Sequence, residues 1–520
     1  MALLNSGALV GTLAVLAFLH LSWRFVVYPR FASPLRHIPA VYLDWRTRLY
    51  RWIYVEPTPD QVLTWLEQTP KQLVEHGIVR YPGIGGQERV LLVSPEALRE
   101  VLEVKAYNDF QKPLLNRQRL AMFGNGLLAS DGTEHHMQRK KMLPAFAPRI
   151  IRALVPFFWA KASELVNLLE RHVGQGANEL ELAPWTSRAS LDVIGVAAWG
   201  RDFGALENPR TEVVSQYHRI FRGTPRSNQQ AKLIYAAGLV VPLSTIKRLC
   251  PCEFFTNLAV GTQAIRQAAT EAIAATRSKE PTAEKQQKDI LTQAMSSGSF
   301  DDAALVGQML NVLAAGHETS SLSVTWACWL LAKHPAEQDR LRAEVRSSLP
   351  SPTASDKDVP SASEDVPVTA ESLEGVRYLQ AVMKEALRLV PPAPVTRREA
   401  KRDTTILGAT IPNGTAIIAL HKHFNTLPSI WGPDASQFRP QRWLDADQHA
   451  ADKLFMTFNL GPRSCIGEGF ARLEVAALLA AVVGRFRVAL KSPDTVPDVI
   501  YGITVKPIQL IFQLQPISGW

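Results

Sequence analysis

The stretch of sequence that decides the fold is residues 458–467, which read FNLGPRSCIG. It places one cysteine, Cys465, directly before an Ala- and Leu-rich segment that is predicted to be helical from residue 468 to about residue 483. Amide donors and the positive end of the macrodipole at a helix N-terminus favour a thiolate over a thiol. Gly461 and Gly467 leave space for a flat ligand on both sides of the sulfur, and Arg463 offers a permanent positive charge to a carboxylate.

A soft, negatively charged sulfur among small residues is a ligand that a haem iron accepts. The alternative is a buried structural cysteine, which is the commoner role for an isolated cysteine. The spacing decides between the two, because Phe-x-x-Gly-x-Arg-x-Cys-x-Gly should arise by chance in fewer than about one in 10⁴ chains of this length and ordinary composition. The sequence therefore predicts a haem that is ligated by Cys465 and bound by Phe458, Arg463 and Gly467.

The composition limits the class of protein. Of the 520 residues, 46% are hydrophobic and 20% are charged, so the chain can bury a large core and global disorder is excluded. The 57 basic and 48 acidic side chains give a net charge of +9 without long basic tracts, which disfavours nucleic-acid binding. Four cysteines are too few for a disulfide framework, so a reducing compartment is expected.

The N-terminus is predicted to be a membrane anchor. Residues 1–23 carry no charged side chain and, as a helix, would span the ~30 Å hydrocarbon layer of a membrane. Arginines follow this segment and none precedes it, so the rest of the chain is expected in the cytosol. A cleaved signal peptide is the alternative, but neither a basic first region nor a small-x-small cleavage site is evident.

We therefore expect an anchor over residues 1–28 and one catalytic domain over residues 29–520. Pro29, Pro34 and Pro39 predict a stiff, non-helical neck at the junction. Long amphipathic helices, such as residues 151–171 and 258–276, are predicted to dominate the domain, with short strands at residues 89–93, 404–407 and 416–420. Residues 347–367 are rich in Ser, Asp, Glu and Pro, and we expect a mobile surface insertion there.

Beyond the cysteine motif, the chain resembles the cytochrome P-450 haem-thiolate monooxygenases over nearly its whole length after the anchor. A second motif in the family's order is AGHET, residues 315–319, inside a helix that is predicted over residues 302–333 and to start at a capping box formed by Ser299 and Asp302. The resemblance implies that Thr319 and Glu318 deliver protons during oxygen activation, where the helix opens locally. The alternative for Thr319 is a hydrogen bond to a carbonyl one turn earlier.

A third motif places Glu385 and Arg388 at i and i+3 of one predicted helix. In isolation this spacing is typical of a solvent-exposed ion pair that contributes little to stability. Arg442 follows downstream in the segment FRPQRW, residues 438–443. The resemblance implies that Glu385, Arg388 and Arg442 form a buried charge network that holds the haem-binding core.

A fourth motif is GTEHHMQRK, residues 132–140. The resemblance implies that Arg139 and His135 from this segment, together with Arg398, contact the haem propionates. His135 stands where the family usually has Trp, although an imidazole also donates a hydrogen bond. Arg397 is an adjacent rival of Arg398 for the same contact.

The resemblance implies a mainly α fold, a single large helical domain of the cytochrome P-450 type with a minor β region, behind one N-terminal transmembrane helix. It implies haem b as the cofactor, with O2 and a lipophilic molecule such as a terpenoid, a polyketide or a related secondary metabolite as substrates. The chain carries no Gly-rich dinucleotide motif, so electrons are expected to come from a partner protein. The resemblance implies that this partner is a membrane-bound NADPH–cytochrome reductase.

The expected location is the endoplasmic reticulum membrane, with a single span and with the catalytic domain facing the cytosol. Two other functions stay open on the sequence alone. One is a reductase-independent haem-thiolate enzyme that rearranges a peroxide, and the other is a non-catalytic haem-binding protein.

Overall fold

The computed structural model describes residues 11–12, 15–16, 18–19, 22–41, 43, 57–83, 87–121, 124–221, 225–238, 241–278, 289–353, 367–445, 454–494 and 496–520. Most of the predicted anchor and residues 354–366 of the predicted insertion lie outside these ranges. Within them, no single helix has the length and apolar character that a membrane span requires. One pair of helical segments, Gly132–Phe146 and Pro148–Gly174, meets both requirements jointly with a bend of 43° between them.

The predicted non-helical neck is wrong at its first proline. Pro29 lies inside a π-helix, Trp23–Ala32, and the backbone becomes extended only at Ser33. Proline has a backbone φ that suits a helix, and its cost there is one missing amide donor. The wide turn ends with the Ser33 amide donating to the Tyr28 carbonyl oxygen at 2.7 Å.

The described residues form twenty α-helices. In chain order they are α1 (Pro59–Gln68), α2 (Lys71–Val74), α3 (Pro95–Arg99), α4 (Leu114–Ala121), α5 (Gly132–Met142), α6 (Pro148–Arg152), α7 (Val155–Gly174), α8 (Ala183–Trp199), α9 (Glu212–Phe221), α10 (Pro225–Ala237), α11 (Leu243–Leu249), α12 (Glu253–Ser278), α13 (Ile290–Ser296), α14 (Asp302–Lys333), α15 (Pro335–Ser348), α16 (Ala370–Gly375), α17 (Arg377–Leu389), α18 (His421–Asn425), α19 (Pro428–Trp431) and α20 (Glu468–Arg485).

The strands are short and, among the described residues, number twelve. In chain order they are β1 (Ile78–Pro82), β2 (Glu88–Leu92), β3 (Phe110–Gln111), β4 (Glu179–Glu181), β5 (Val395–Ala400), β6 (Thr404–Ile406), β7 (Ala409–Ile411), β8 (Ala416–Leu420), β9 (Phe486–Leu490), β10 (Val499–Tyr501), β11 (Val505–Pro507) and β12 (Ile511–Pro516). The expectation of a mainly helical fold with a minor β region is confirmed.

The chain divides into two compact units. The first unit comprises residues 1–113, 395–427 and 459–463. Its centre is a mixed five-stranded sheet in the order β1-β2-β8-β5-β3, in which β2 and β8 are parallel and the other pairs are antiparallel. Val79, Leu91 and Ile418 project into a core that also contains Trp65 of α1, and this apolar contact stabilises the unit.

The second unit comprises residues 114–394, 428–458 and 464–520. Its core surrounds α14 and α20: residues 305–311 and 320–328 of α14 and residues 473–485 of α20 are buried. Four small side chains of α20, Ala476, Ala477, Ala480 and Ala481, are completely buried, and small residues allow neighbouring helices to approach closely. The unit also carries the sheet β4-β12-β9 and the separate hairpin β10-β11.

The sequence located the central helices well, with local corrections. α14 has the predicted bounds, but its cap is Asp301, whose carboxylate accepts from the Ala304 amide at 2.8 Å, so the predicted box with Ser299 is wrong. The predicted helix over residues 151–171 is two helices, α6 and α7, because Pro156 has no amide donor and occupies the first turn of a new helix. The division into residues 1–28 and 29–520 stays a prediction.

Candidate active site

The loop that carries Cys465 is held by hydrogen bonds on both sides. The Cys465 amide donates to the carbonyl oxygen of Phe458 at 2.7 Å, which closes the turn that precedes α20. From α5, the Arg139 guanidinium donates through Nη1 to the Ser464 carbonyl oxygen at 2.6 Å and through Nη2 to the Ser464 hydroxyl at 3.2 Å. These contacts fix the sulfur at the entrance of α20, whose N-cap is Gly467.

The two glycines of the motif have different structural roles. Gly467 lies beside the sulfur, and a Cβ placed there would be 4.0 Å from Cys465 Sγ. Gly461 belongs to the first unit and has a φ of +72°, and a Cβ there would collide with the carbonyl oxygen of Leu102. The prediction that Gly461 makes room for a ligand is therefore wrong, because its missing side chain allows the backbone turn and this close approach.

The electrostatics at Cys465 differ from the sequence-based expectation. Burial raises the pKa of the Cys465 thiol to about 11 and outweighs the Gly467 amide and Arg139, which lower it, while Glu468 raises it further. The predicted preference for the thiolate is therefore wrong for the polypeptide alone. One amide and one guanidinium do not replace the hydration that a thiolate loses on burial.

The surroundings of Cys465 fit a thiolate-ligated haem. The Cys465 side chain is exposed, although its thiol is strongly desolvated, so the sulfur faces a recess walled by protein. A flat, largely apolar ring fills such a recess, and a central cation supplies the positive charge that a buried thiolate needs. Gly467 lies next to the sulfur, the Phe458 carbonyl oxygen accepts from the Cys465 amide, and His135 is buried on α5 one turn before Arg139.

Two further arginines that were predicted to bind the haem lie in the first unit. Arg463 is buried, and its guanidinium stacks on the ring of Tyr107 at 4.6 Å. Arg398 lies on β5, where side chains alternate between a half-buried and a buried face. Arg398 occupies the buried face and Arg397 the half-buried one, so the strand distinguishes two arginines that the sequence left as rivals.

The AGHET segment lies in an unbroken stretch of α14. The Thr319 hydroxyl donates to the Ala315 carbonyl oxygen at 2.7 Å, so the alternative interpretation is observed and the local opening of the helix is not. Gly316 has a packing role, because a Cβ there would lie 2.5 Å from Ile194 Cδ1 on α8. Ala315 is exposed although residues 305–311 and 320–328 are buried, so this turn of α14 borders open space.

Glu318 makes contacts that the sequence did not predict. One carboxylate oxygen accepts from the Thr504 hydroxyl at 2.6 Å, and the other pairs with the Lys506 ammonium. Burial raises the pKa of Glu318, but Lys506, Thr504 and His317 together outweigh it and hold that pKa below its usual value. Thr504 follows Glu318 by 186 positions, so no local pattern could have indicated the pair.

Glu385, Arg388 and Arg442 come together in the second unit, and all three are buried. Arg388 donates to both Glu385 oxygens at 2.8 and 2.7 Å, and Arg442 Nε lies 3.4 Å from Glu385 Oε1. Sequence reasoning missed Trp443, whose indole donates to Glu385 at 2.9 Å, and Asp434, which accepts from Arg442 at 3.0 Å. The network joins α17 to the segment at residues 431–443 with every charge hydrogen-bonded.

Comparisons with known proteins agree with this arrangement. The family model described as Cytochrome P450 matches residues 53–513. The cytochrome P450 monooxygenase sphH of Aspergillus fumigatus is 37% identical, over 99% of this chain and 95% of that protein. The cytochrome P450 monooxygenases ALT8 of Alternaria alternata and FUM15 of Gibberella moniliformis are 35% and 33% identical, over 96% and 92% of this chain and 92% and 87% of their own lengths.

Proposed function

Because the chain belongs to the cytochrome P450 family of oxygen-incorporating oxidoreductases, we propose that it inserts one oxygen atom from O2 into a lipophilic organic molecule. The family binds haem, and we assign its axial ligand to Cys465. The observation that carries the assignment is the recessed, desolvated sulfur at the start of α20, held by Phe458 and Arg139. Terpenoids, polyketides and related secondary metabolites are the proposed substrate class.

The residues around the sulfur have distinct proposed roles. Cys465 provides the thiolate, and the Gly467 amide lowers the free energy of that anion. Arg139 fixes the peptide at Ser464, and Arg139, His135, Arg398 and Arg463 are the proposed partners of the haem propionates. Haem, when bound, supplies the iron at which dioxygen is reduced.

The proton-handling groups lie on α14. The Thr319 hydroxyl and the Glu318 carboxylate are one residue apart and are the proposed donors of protons to reduced dioxygen. Thr319 Oγ donates to the Ala315 carbonyl and keeps a lone pair free to accept, so the hydroxyl is suited to passing a proton on. Glu385, Arg388 and Arg442 are assigned a structural role as the buried network behind the site.

We also propose the source of electrons and the location. Electrons come from NADPH through a membrane-bound NADPH–cytochrome reductase, whose acidic surface complements a chain with a net charge of +9. The uncharged N-terminal segment supports an endoplasmic reticulum location with the catalytic domain in the cytosol.

The ligand assignment is tested by the carbon monoxide difference spectrum of the reduced protein. Cys465→Ala is expected to abolish the red-shifted absorption band that a thiolate ligand produces, because no other side chain supplies a soft anion at that position. The matched control is Cys250→Ala, which removes an exposed cysteine and should leave the band unchanged. A full red-shifted band in Cys465→Ala contradicts the assignment.

The same preparation separates the monooxygenase from the two alternatives. The purified protein is incubated with a panel of terpenoids and polyketides, with reductase and NADPH in one arm and with an organic hydroperoxide alone in the other. A monooxygenase forms hydroxylated product in the first arm. Rearranged product from the hydroperoxide without reductase favours the peroxide enzyme, and NADPH use that stays at the reductase-only rate favours a haem-binding protein.

A further inference from the structure

The carboxylate of Glu318 is held by the C-terminal hairpin of the second unit. Lys506, which forms the ion pair, lies on β11, and Thr504, which donates the 2.6 Å hydrogen bond, lies in the turn before it. The Thr504 side chain is buried, whereas the Lys506 side chain is 34% exposed. The acid of the AGHET segment is therefore bound to the hairpin, while its neighbour Thr319 is bonded to α14 itself.

The hairpin formed by β10 and β11 is attached to the rest of the second unit by the contacts with Glu318, by Val505, and by the packing of Val499 and Tyr501 against Leu322 and Trp326. β10 and β11 form a two-stranded sheet of their own. Val505 anchors it, because its amide donates to the Pro392 carbonyl oxygen at 2.9 Å and its carbonyl accepts from the Trp326 indole at 3.1 Å. Ile500 and Ile503, near the turn, are both more than half exposed. Thr504 and Lys506, which bind Glu318, therefore lie on either side of the anchored Val505, while the turn presents an apolar surface.

We propose, on the basis of the function proposed above, that Lys506 is a positioning residue for proton delivery. Its ammonium, with the Thr504 hydroxyl, keeps Glu318 as an ion turned towards the hairpin, and the acid serves dioxygen only when the hairpin shifts.

The physical basis is the balance of charges around one half-buried carboxylate, that of Glu318. Lys506 on the hairpin and His317 on the same helix are the charged groups that contribute most to lowering the pKa of Glu318. A carboxylate paired in this way carries no proton at neutral pH, so it cannot act as a general acid. Without the Lys506 cation, burial dominates and favours the neutral, protonated acid.

The proposed role of Lys506 can be tested without knowledge of the substrate, by turnover of the reductase-coupled holoenzyme in the absence of substrate. Peroxide release converts one NADPH, one proton and one O2 into NADP+ and H2O2. Complete reduction converts two NADPH, two protons and one O2 into two NADP+ and two water molecules, and it needs further protons to be delivered. The H2O2 formed per O2 consumed therefore measures proton delivery.

Lys506→Met is expected to lower the H2O2 yield per O2 at least about twofold, because Glu318 becomes a neutral acid that donates its proton. Lys506→Arg keeps the positive charge and should retain the wild-type yield. In a Glu318→Gln background, Lys506→Met should change nothing. An unchanged yield in Lys506→Met, or the same change in the Glu318→Gln background, overturns the proposal. Should Lys506→Met lose haem, Lys506→Gln repeats the test with a polar side chain that carries no charge, and the same decrease in H2O2 yield is expected.

Infrared difference spectra give a readout that needs no turnover. At neutral pH, the spectrum of Lys506→Met minus that of the double variant Lys506→Met/Glu318→Gln should show the carbonyl stretch of a protonated carboxylic acid. The spectrum of the wild type minus that of Glu318→Gln should not show it. The stretch in both difference spectra, or in neither, contradicts the role of Lys506. A wild-type protein without the red-shifted carbon monoxide band contradicts the proposed function instead. The infrared measurement does not depend on that band, so failure of the proposed function and failure of the role of Lys506 can be distinguished.

Discussion

Two buried carboxyl groups in the core of the second unit differ in their surroundings: one is paired with arginines, and the other has a hydroxyl as its closest partner. Glu385 is surrounded by two arginines and an indole donor, and so it is paired. Glu474, on α20, is completely buried and has a hydroxyl as its closest partner, since Ser190 on α8 donates to it at 2.6 Å. Burial raises the pKa of Glu474 to about 8, although the Ser190 and Ser320 hydroxyls lower it.

Glu474 makes stability depend on pH in a predictable direction. Between pH 4.5 and about pH 8 the folded state keeps a proton that the unfolded chain has lost, so the free energy of unfolding falls as the pH rises. Glu474→Gln keeps a carbonyl acceptor for Ser190 without a titrating group. We expect it to remove this slope and to stabilise the protein by about 1–4 kcal/mol near pH 8.

The measurement is the Tm of both proteins at about pH 5 and about pH 8, the two ends of the range in which the protonation states differ. Glu468→Gln on the same helix is the matched control, because Glu468 lies near the surface and pairs with Arg472. A Tm difference between Glu474→Gln and wild type that is equal at both pH values contradicts the argument.

At the scale of elements, the contact between α8 and α14 depends on a missing side chain. Gly316 lies against Ile194, and a Cβ there would meet Ile194 Cδ1 at 2.5 Å and Cγ1 at 3.2 Å. The glycine that could have opened the helix therefore brings two helices together. Close packing of this kind leaves no space for an added methyl group.

Gly316→Ala is expected to lower the free energy of unfolding by about 1–3 kcal/mol, because the new methyl forces α8 and α14 apart. In an Ile194→Val background the loss should shrink, since valine lacks the Cδ1 atom that the methyl meets first. Urea unfolding checks both variants. Gly375→Ala on α16, where nothing lies within 4 Å of the new Cβ, is the control and should be close to neutral. Equal losses at both glycines rule out the steric explanation.

At the scale of the whole molecule, the net charge of +9 bears on how electrons arrive. A basic chain attracts an acidic partner over distances set by the Debye length, which is about 10 Å at 0.1 M salt and about 3 Å at 1 M. Such attraction affects the rate of encounter more than the chemistry within each protein. The expected reductase is membrane-bound and would be the acidic partner.

Reductase-driven NADPH oxidation by the holoenzyme is therefore expected to slow several-fold as salt rises from about 0.05 M to about 0.5 M. The reduced carbon monoxide spectrum of the same samples is the control, and it should not change because Cys465 lies in a desolvated recess. A rate that does not depend on salt contradicts an electrostatic encounter with an acidic partner.

The sequence alone determined the features that local spacing encodes. The order of Phe458, Gly461, Arg463, Cys465 and Gly467 predicted a cysteine at a helix entrance, and α14 has the bounds that its apolar pattern indicated. Caps, prolines and helical periodicity act over a few residues, so they can be recognised in the sequence without a structure. The same locality explains the confirmed family and the mainly helical fold.

The tertiary structure alone decided which residues far apart in sequence contact each other. β5 was not predicted, and only its pairing with β8 and β3 placed Arg398 rather than Arg397 on the buried face. The desolvation of Cys465 and the binding of Glu318 by Thr504 and Lys506 likewise arise between segments far apart in sequence. Strand register, burial and ion pairing depend on which distant residues meet, and no local pattern in the chain specifies that.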